Sequence, residues 1–276
     1  MMKIGNHEFN TAQDCYVMGI LNSPPDSFSD GGRWTERDRA LSHAEEMIRD
    51  GAAILDLGGE STRPGYTQIS VQEETDRVVP VIEAVKALFD IPVSVDTYKS
   101  GVAAAALRAG ADMVNDIWGL QYDPDMAALI AAHHVPCCLM HNRKEAVYQD
   151  FPVELCRDLL QSVSIAKAAG IPDDAIILDP GVGFAKSYQQ NLAVIHRLDQ
   201  VARLGYPVLL GTSRKSCIGL TLDLPASERV EGTLVTTVFA VLHGASFVRV
   251  HDVKENVRAV RMAQAVVREG DGEHGL

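Results

Sequence analysis

Four basic side chains in this acidic chain, Arg63, Lys215, Arg249 and His251, stand at the ends of short apolar runs. Positive charge gathered in a protein of formal charge −12 points to an anion site, and arginine and lysine suit a phosphate. A second set, Asp96, Asn115 and Asp179, ends other apolar runs. An ionised carboxylate accepts two parallel hydrogen bonds, so this set suits a flat heterocycle rich in N–H donors. An anionic tail on such a ring satisfies both sets at once. The stretch "DLGGESTRPG" (56–65) adds a carboxylate pair, two hydroxyls and a guanidinium directly after the apolar residues 52–55, and reads as part of the same ligand site. Any one of these aspartates is equally well explained as a satisfied buried polar group or a helix N-cap. Their repetition at seven or eight strand ends argues for a ligand.

The elements that would carry them alternate regularly. Eight β-rich apolar runs occur at 15–22, 52–59, 92–97, 113–117, 136–141, 175–181, 207–213 and 247–252, separated by amphipathic helical patterns. Ser70 with Glu73 makes a capping box ahead of Val78, Ile82, Val85 and Phe89, and Val253, Val257, Val260 and Val267 pattern the last helix. Gly51, Gly110, Gly170, Gly205, Gly244 and Gly270 close helices, and Pro92, Pro136 and Pro207 open strands. Eight strand–helix units in a chain of 276 residues predict an α/β fold, a single (β/α)₈ TIM barrel spanning 1–276 as one domain, with an open doubly wound sheet as the alternative. The leading "MKIGNHEF" predicts a short N-terminal hairpin turning at Gly5-Asn6 and plugging the barrel bottom. Side chains alternate along a strand, so Phe247, Arg249 and His251 share a face opposite Val248 and Val250. Ser94 with Asp96, Ile177 with Asp179, and Met113 with Asn115 fall on inward faces by the same rule. The polar residues thus collect at the C-terminal strand ends, where barrels of this kind place their active sites.

The net charge excludes nonspecific nucleic-acid binding, and no apolar run approaches a membrane span. Five cysteines scattered at 15, 137, 138, 156 and 217 suit reduced thiols, and the polar N-terminus lacks an export signal, so the chain reads as cytoplasmic. Other patterns carry less. "GVGFAKS" (181–187) lacks both phosphate-loop spacings and reads as the turn after the Asp179 strand. His133, His134, Cys137, Cys138 and His141 suggest zinc, but adjacent strand residues such as Cys137 and Cys138 point to opposite faces. Cys217 beside Arg214 and Lys215 reads first as a packing residue and second as a reactive thiol. Asp26 and Asp30 serve either loop solvation or metal and ring binding.

Eight motifs in order, "MGILNSPPDSFSDGG" (18–32), "DLGGESTRPG" (56–65), "SVDTYKSGVA" (94–103), "VNDIWG" (114–119), "LMHNR" (139–143), "ILDPGVGFAKS" (177–187), "GTSRKS" (211–216) and "VRVHD" (248–252), resemble those of the dihydropteroate synthase family. The resemblance implies a barrel that condenses 6-hydroxymethyl-7,8-dihydropterin pyrophosphate with 4-aminobenzoate, giving 7,8-dihydropteroate and pyrophosphate in folate synthesis. It implies that Asp96, Asn115, Asp179 and Lys215 bind the pterin, with Met140 and Phe184 packing near it. It gives Asn22 a share in holding Mg²⁺ and the pyrophosphate, which Thr62, Arg63, Arg249 and His251 also contact. Phe28, Thr62, Pro64 and Ser216 border the aminobenzoate pocket, where sulfonamides mimic the substrate in that family. Asp96, Lys215 and Arg249 carry the catalysis, and a homodimer built on the later helices is implied.

Where that family usually shows Asn-Val-Thr-Pro, this chain has Asn22-Ser23-Pro24-Pro25, and two consecutive prolines stiffen the first loop. A catalytically weak paralogue is therefore one alternative. A pterin-dependent methyltransferase is another, against which Arg249, His251 and the "RKS" turn argue, since it needs no pyrophosphate site. A non-catalytic pterin-binding module would tolerate loss of Asn22, Lys215 or Arg249, and all three are present.

Overall fold

In the computed structural model, residues 1–22, 33–60 and 67–269 are described, apart from the side chains of 22 and 33–36. A hairpin of β1 (Met2–Ile4) and β2 (His7–Phe9) comes first, turning at Gly5, whose φ is +58°. Strands β3 (Tyr16–Asn22), β4 (Ile54–Gly58), β5 (Val93–Asp96), β6 (Met113–Asp116), β7 (Cys137–Met140), β8 (Ile176–Asp179), β9 (Leu209–Leu210) and β10 (Phe247–Val250) follow. They form one parallel sheet in the order β8-β7-β6-β5-β4-β3-β10-β9, and a parallel bridge from Leu178 to Val208 joins its two ends. The sheet is therefore the predicted barrel and not an open doubly wound sheet.

Helices surround it: α1 (Arg33–Arg49), α2 (Val71–Leu88), α3 (Ser100–Arg108), α4 (Met126–His133), α5 (Phe151–Ala168), α6 (Tyr188–His196), α7 (Asp199–Ala202), α8 (Ser216–Leu222), α9 (Val230–Leu242) and α10 (Val253–Val267). Between strands and helices lies a large apolar core that takes every second strand residue, including Leu55, Val93, Val95, Val114, Leu139, Leu178 and Val248. The other face of each strand points to the axis, as a period of two requires.

Inside the barrel, Met18, Ile54, Met113, Cys138, Ile177, Leu209 and Phe247 pack into a floor layer with Met2, Ile4 and Phe9 of the hairpin. Phe9 meets Tyr16 edge-on at 4.9 Å and Phe247 at 5.8 Å, so the hairpin does plug the bottom. Cys137 and Cys138 fall into the outer and inner cores respectively, on the opposite faces expected of strand neighbours.

Two local expectations are corrected. Ser70 does cap α2, accepting from the Glu73 N–H at 3.1 Å, but the Glu73 carboxylate turns to Arg77 at 2.5 Å instead of closing the box. A guanidinium one turn along outcompetes a backbone N–H for that carboxylate. Val253, Val257 and Val260 bury their side chains, whereas Val267, the last residue of α10, is exposed. Gly270 lies outside the described residues.

Candidate active site

Above the apolar floor the next inward positions are polar. Asp56, Ser94, Asp96, Asn115 and Asp179 are all buried, and Arg249 reaches among them from β10. Arg249 Nε donates to Asp56 Oδ2 at 2.5 Å and Nη2 to Asp96 Oδ2 at 2.6 Å, while Asn115 Nδ2 donates to Asp56 Oδ2 at 3.3 Å. Four strands, β4, β5, β6 and β10, are tied together by this one guanidinium and its carboxylates. Asp56 Oδ1, Asp96 Oδ1 and Ser94 Oγ are buried with no hydrogen-bond partner among the described residues. Orphaned acceptors of this kind are costly in a folded protein, and several in one layer mark a place where a ligand supplies the donors.

Across the barrel, Asp179 Oδ1 accepts the Gly181 N–H at 2.7 Å. Lys215, the residue before α8, donates its ammonium to the Val182 carbonyl and lies 4.8 Å from the Phe184 ring centroid. Gly211 lies at this corner: a Cβ there would stand 3.8 Å from Asp179 Oδ2 and 4.0 Å from Lys215 Nζ, in ordinary contact with both. Met140, Ile117 and Tyr98 form an apolar patch beside it, with Trp118 and Phe184 packed against them. An apolar patch next to an acidic and a basic group is the lining expected for a flat polar ring.

Burial sets the electrostatics. It pushes Asp96 up to about 7, with Arg249 pulling the other way and Asp56 adding to the rise. It also raises Asp179 above the usual carboxylate range, against the pull of Lys215. Lys215 is drawn down to about 8 by burial, with Asp179 opposing. For Arg249 burial disfavours the charge, but Asp56 and Asp96 outweigh it and raise its pKa. Groups whose environments pull a carboxylate and an amine toward neutrality from opposite sides are typical of binding and catalytic sites.

The structure brings Asp96, Asn115, Met140, Asp179, Phe184, Lys215 and Arg249 into this one cavity wall. His251 follows the end of β10, two residues beyond Arg249, its Nδ1 3.0 Å from Ser213 Oγ, which also accepts the His251 N–H. Ser216 is exposed at the start of α8. Asn22 ends β3 opposite Gly58, at the same mouth. Its side chain lies outside the described residues, as do Ser23, Pro24, Pro25, Asp26, Phe28, Asp30, Thr62, Arg63 and Pro64.

The polar cluster read from 56–65 divides in two. Asp56 belongs to the inward layer, although no site role was assigned to it; the parity Ile54, Asp56, Gly58 on β4 is the signal that identifies it. Glu60 belongs elsewhere. Its carboxylate is held by Tyr98 Oη at 2.5 Å, Lys99 Nζ at 2.6 Å and the Ile69 N–H at 2.8 Å, and Lys99 also binds Glu74 at 2.7 Å. These bonds join both ends of the segment after β4, which is an architectural task and not ligand binding. Arg214 likewise pairs with Asp252 through two nitrogens. Cys217 is buried and burial raises its pKa, so it packs and is not an activated thiol.

Fold and site together define a (β/α)₈ enzyme that seats a flat, hydrogen-bonding ring at the C-terminal strand ends. The family described as "Pterin binding enzyme" matches residues 18–251. The chain is 56% identical to the dihydropteroate synthase of Clostridium beijerinckii, covering 97% of this chain and all of that protein. Among solved structures, the dihydropteroate synthase of Clostridium difficile, crystallised with pteroic acid, is 47% identical, with a TM-score of 0.91 over 95% of this chain and 100% of that one. The Xanthomonas albilineans enzyme with 4-aminobenzoic acid is 43% identical, with a TM-score of 0.87 over 93% of this chain and 94% of the other. The chain belongs to the dihydropteroate synthase family of pterin-binding enzymes.

Proposed function

We propose that this chain is a transferase that joins the methylene carbon of 6-hydroxymethyl-7,8-dihydropterin pyrophosphate to the amine of 4-aminobenzoate, releasing pyrophosphate. The observation that carries this reading is the buried layer of orphaned acceptors, Asp56 Oδ1, Asp96 Oδ1 and Ser94 Oγ, facing Asp179 and Lys215. An aminopyrimidine edge presents adjacent N–H groups, which carboxylates at this depth can accept, while Lys215 donates to ring acceptors and Met140 and Phe184 cover the ring's faces.

The reaction breaks a C–O bond to a polyanion and forms a C–N bond, with the amine proton released to solvent. It needs no covalent nucleophile. Arg249, from the polar layer, and His251, two residues further along the chain, are assigned to stabilise the departing pyrophosphate. Thr62 and Arg63 are assigned to the same oxygens. Asp96, beside the methylene, favours the cation-like character that develops there as the bond to oxygen lengthens. Phe28, Thr62, Pro64 and Ser216 are assigned to the aminobenzoate.

Among the described residues no group of three metal-ligating side chains comes together. Asn22, at the end of β3, is the residue we assign to hold Mg²⁺, an ion that keeps several waters and takes substrate phosphate oxygens. The ion would supply charge neutralisation to the leaving group.

We further propose a homodimer formed by a second copy docking on the later helices. Leu220 on α8, Val235, Phe239 and Leu242 on α9, and Met262 and Val266 on α10 are exposed apolar residues on adjacent elements, the kind of surface a partner covers. Sedimentation at micromolar concentration tests this, and a monomer there would refute it. All five cysteines are free thiols, which supports a reducing, cytoplasmic setting.

The reaction is tested by following pyrophosphate release from dihydropterin pyrophosphate with Mg²⁺, with and without 4-aminobenzoate, and identifying the pterin product by mass. Release coupled to dihydropteroate is expected. Tight pterin binding without product would move the chain to the weak-paralogue or carrier reading.

A further inference from the structure

Lys186 forms no hydrogen bond to the polar layer, though its charge acts on Asp179, and it holds the turn that lines one side of that layer. Its ammonium lies 2.9 Å from the Gly181 carbonyl, 3.1 Å from the Phe184 carbonyl and 2.9 Å from His141 Nδ1. Burial draws Lys186 down to about 7, with Asp179 opposing, and in its ammonium form its three N–H groups meet three acceptors. With Nδ1 accepting from that ammonium, the His141 proton is assigned to Nε2, 3.3 Å from Asp158 Oδ2, and Asp158 is fixed in turn by Arg143 Nε at 2.7 Å. His141 is buried, and burial followed by the neighbouring Lys186 charge pushes it down to about 3, so its ring stays neutral and its acceptor nitrogen stays available.

The turn thus supported is the one that meets the ring site. Lys215 donates to the Val182 carbonyl, so the two lysines hold three of the four carbonyls of residues 181–184. Gly183, at φ +87°, would bring a Cβ to 3.1 Å from Lys215 Cδ, and Gly181 packs so closely on β7 that a Cβ would overlap the His141 carbonyl at 2.0 Å. Any slackening at Lys186 therefore moves Phe184, which covers the ring, and Lys215, which donates to it.

We propose that Lys186, oriented by His141 and Asp158, is a positioning residue for dihydropterin recognition, acting through the 181–184 turn on Phe184 and Lys215 without touching the substrate. This inference rests on the pterin reading of the site given above. It separates Lys186 from a merely structural lysine, whose loss would lower stability and affect both substrates alike.

Steady-state kinetics of Lys186→Met, His141→Leu and His141→Gln test it, with KM measured separately for dihydropterin pyrophosphate and 4-aminobenzoate. The glutamine amide can accept from Lys186 and donate to Asp158, and so keeps the chain of bonds. Lys186→Met and His141→Leu are expected to raise the pterin KM about tenfold, the scale of one charge-assisted hydrogen bond, with the aminobenzoate KM within about twofold of wild type. His141→Gln is expected to stay near wild type. A pterin KM unchanged in either disruptive variant, or equal rises in both KM values, would overturn the proposal. Should Lys186→Met not fold, His141→Leu decides by the same criterion. A wild-type protein that neither binds nor turns over the dihydropterin would instead overturn the functional reading, and this inference with it.

Discussion

The floor and the mouth of the barrel are built from the same strands two residues apart, and they solve opposite problems. At the floor Ile54, Met113, Ile177 and Phe247 fill the axis with the hairpin residues Met2, Ile4 and Phe9, and dispersion and burial satisfy every group. One inward step higher on the same four strands stand Asp56, Asn115, Asp179 and Arg249. There burial raises Asp96 and Asp179, and acceptor atoms go without partners among the described residues. The floor is complete without a ligand, whereas the mouth is stable only because the floor and outer core carry it. Stability and binding are therefore separable by position along a strand.

Substitutions should respect that division. The largest effect is expected at the mouth: Asp96→Ala should lower kcat/KM about a thousandfold, the upper scale of losing one electrostatic group aimed at developing charge, while circular dichroism still shows a folded barrel. Lys215→Ala should behave similarly. Wild-type-like turnover in either variant would break the site assignment. At the floor, Ile54→Ala should cost about 2–5 kcal/mol in denaturant titrations, with kcat/KM within about threefold of wild type. A loss of activity out of proportion to stability there would erase the distinction between the two layers.

Asp56→Asn sharpens the contrast, because Arg249 keeps Asp96 as a partner. About a tenfold fall in kcat/KM is expected, the scale of one charged hydrogen bond, and no change would reduce Asp56 to a spectator. The mildest effect is that of pH. Asp96 must be ionised to accept N–H groups and Lys215 protonated to donate, so pterin affinity should weaken as pH falls below about 7 and as it rises past about 8. Pterin KM values that stay level from about pH 5.5 to about pH 9 would contradict those assignments.

Much of this was legible in the chain itself because a parallel barrel converts sequence parity into position. Arg249 and Phe247, or Asp96 and Ser94, share a face by counting, and the glycines and prolines punctuate the strands. The same counting identifies Asp56, which was read only as one member of a polar crowd. What parity could not supply is partnership between distant segments. Glu60 looked like a ligand-binding carboxylate, but Lys99 and Tyr98, 39 and 38 residues later, claim it. Lys186 looked like a failed phosphate loop and His141 like a stray zinc ligand, and only the packing of β7 against the turn after β8 joins them across 45 residues. Capping at Ser70 was half legible, since the sequence shows Glu73 but not that Arg77 will take its carboxylate.

The central claim, that the polar layer is completed by a pterin, is tested most directly by calorimetric titration of pteroic acid into the wild-type protein and into Asp96→Asn and Ile54→Val. The account predicts binding to the wild type, essentially the same affinity in the floor variant, and a loss of about a hundredfold in Asp96→Asn, where a buried charged acceptor becomes a neutral amide. Equal affinity in all three proteins would show that the ring does not sit in this layer.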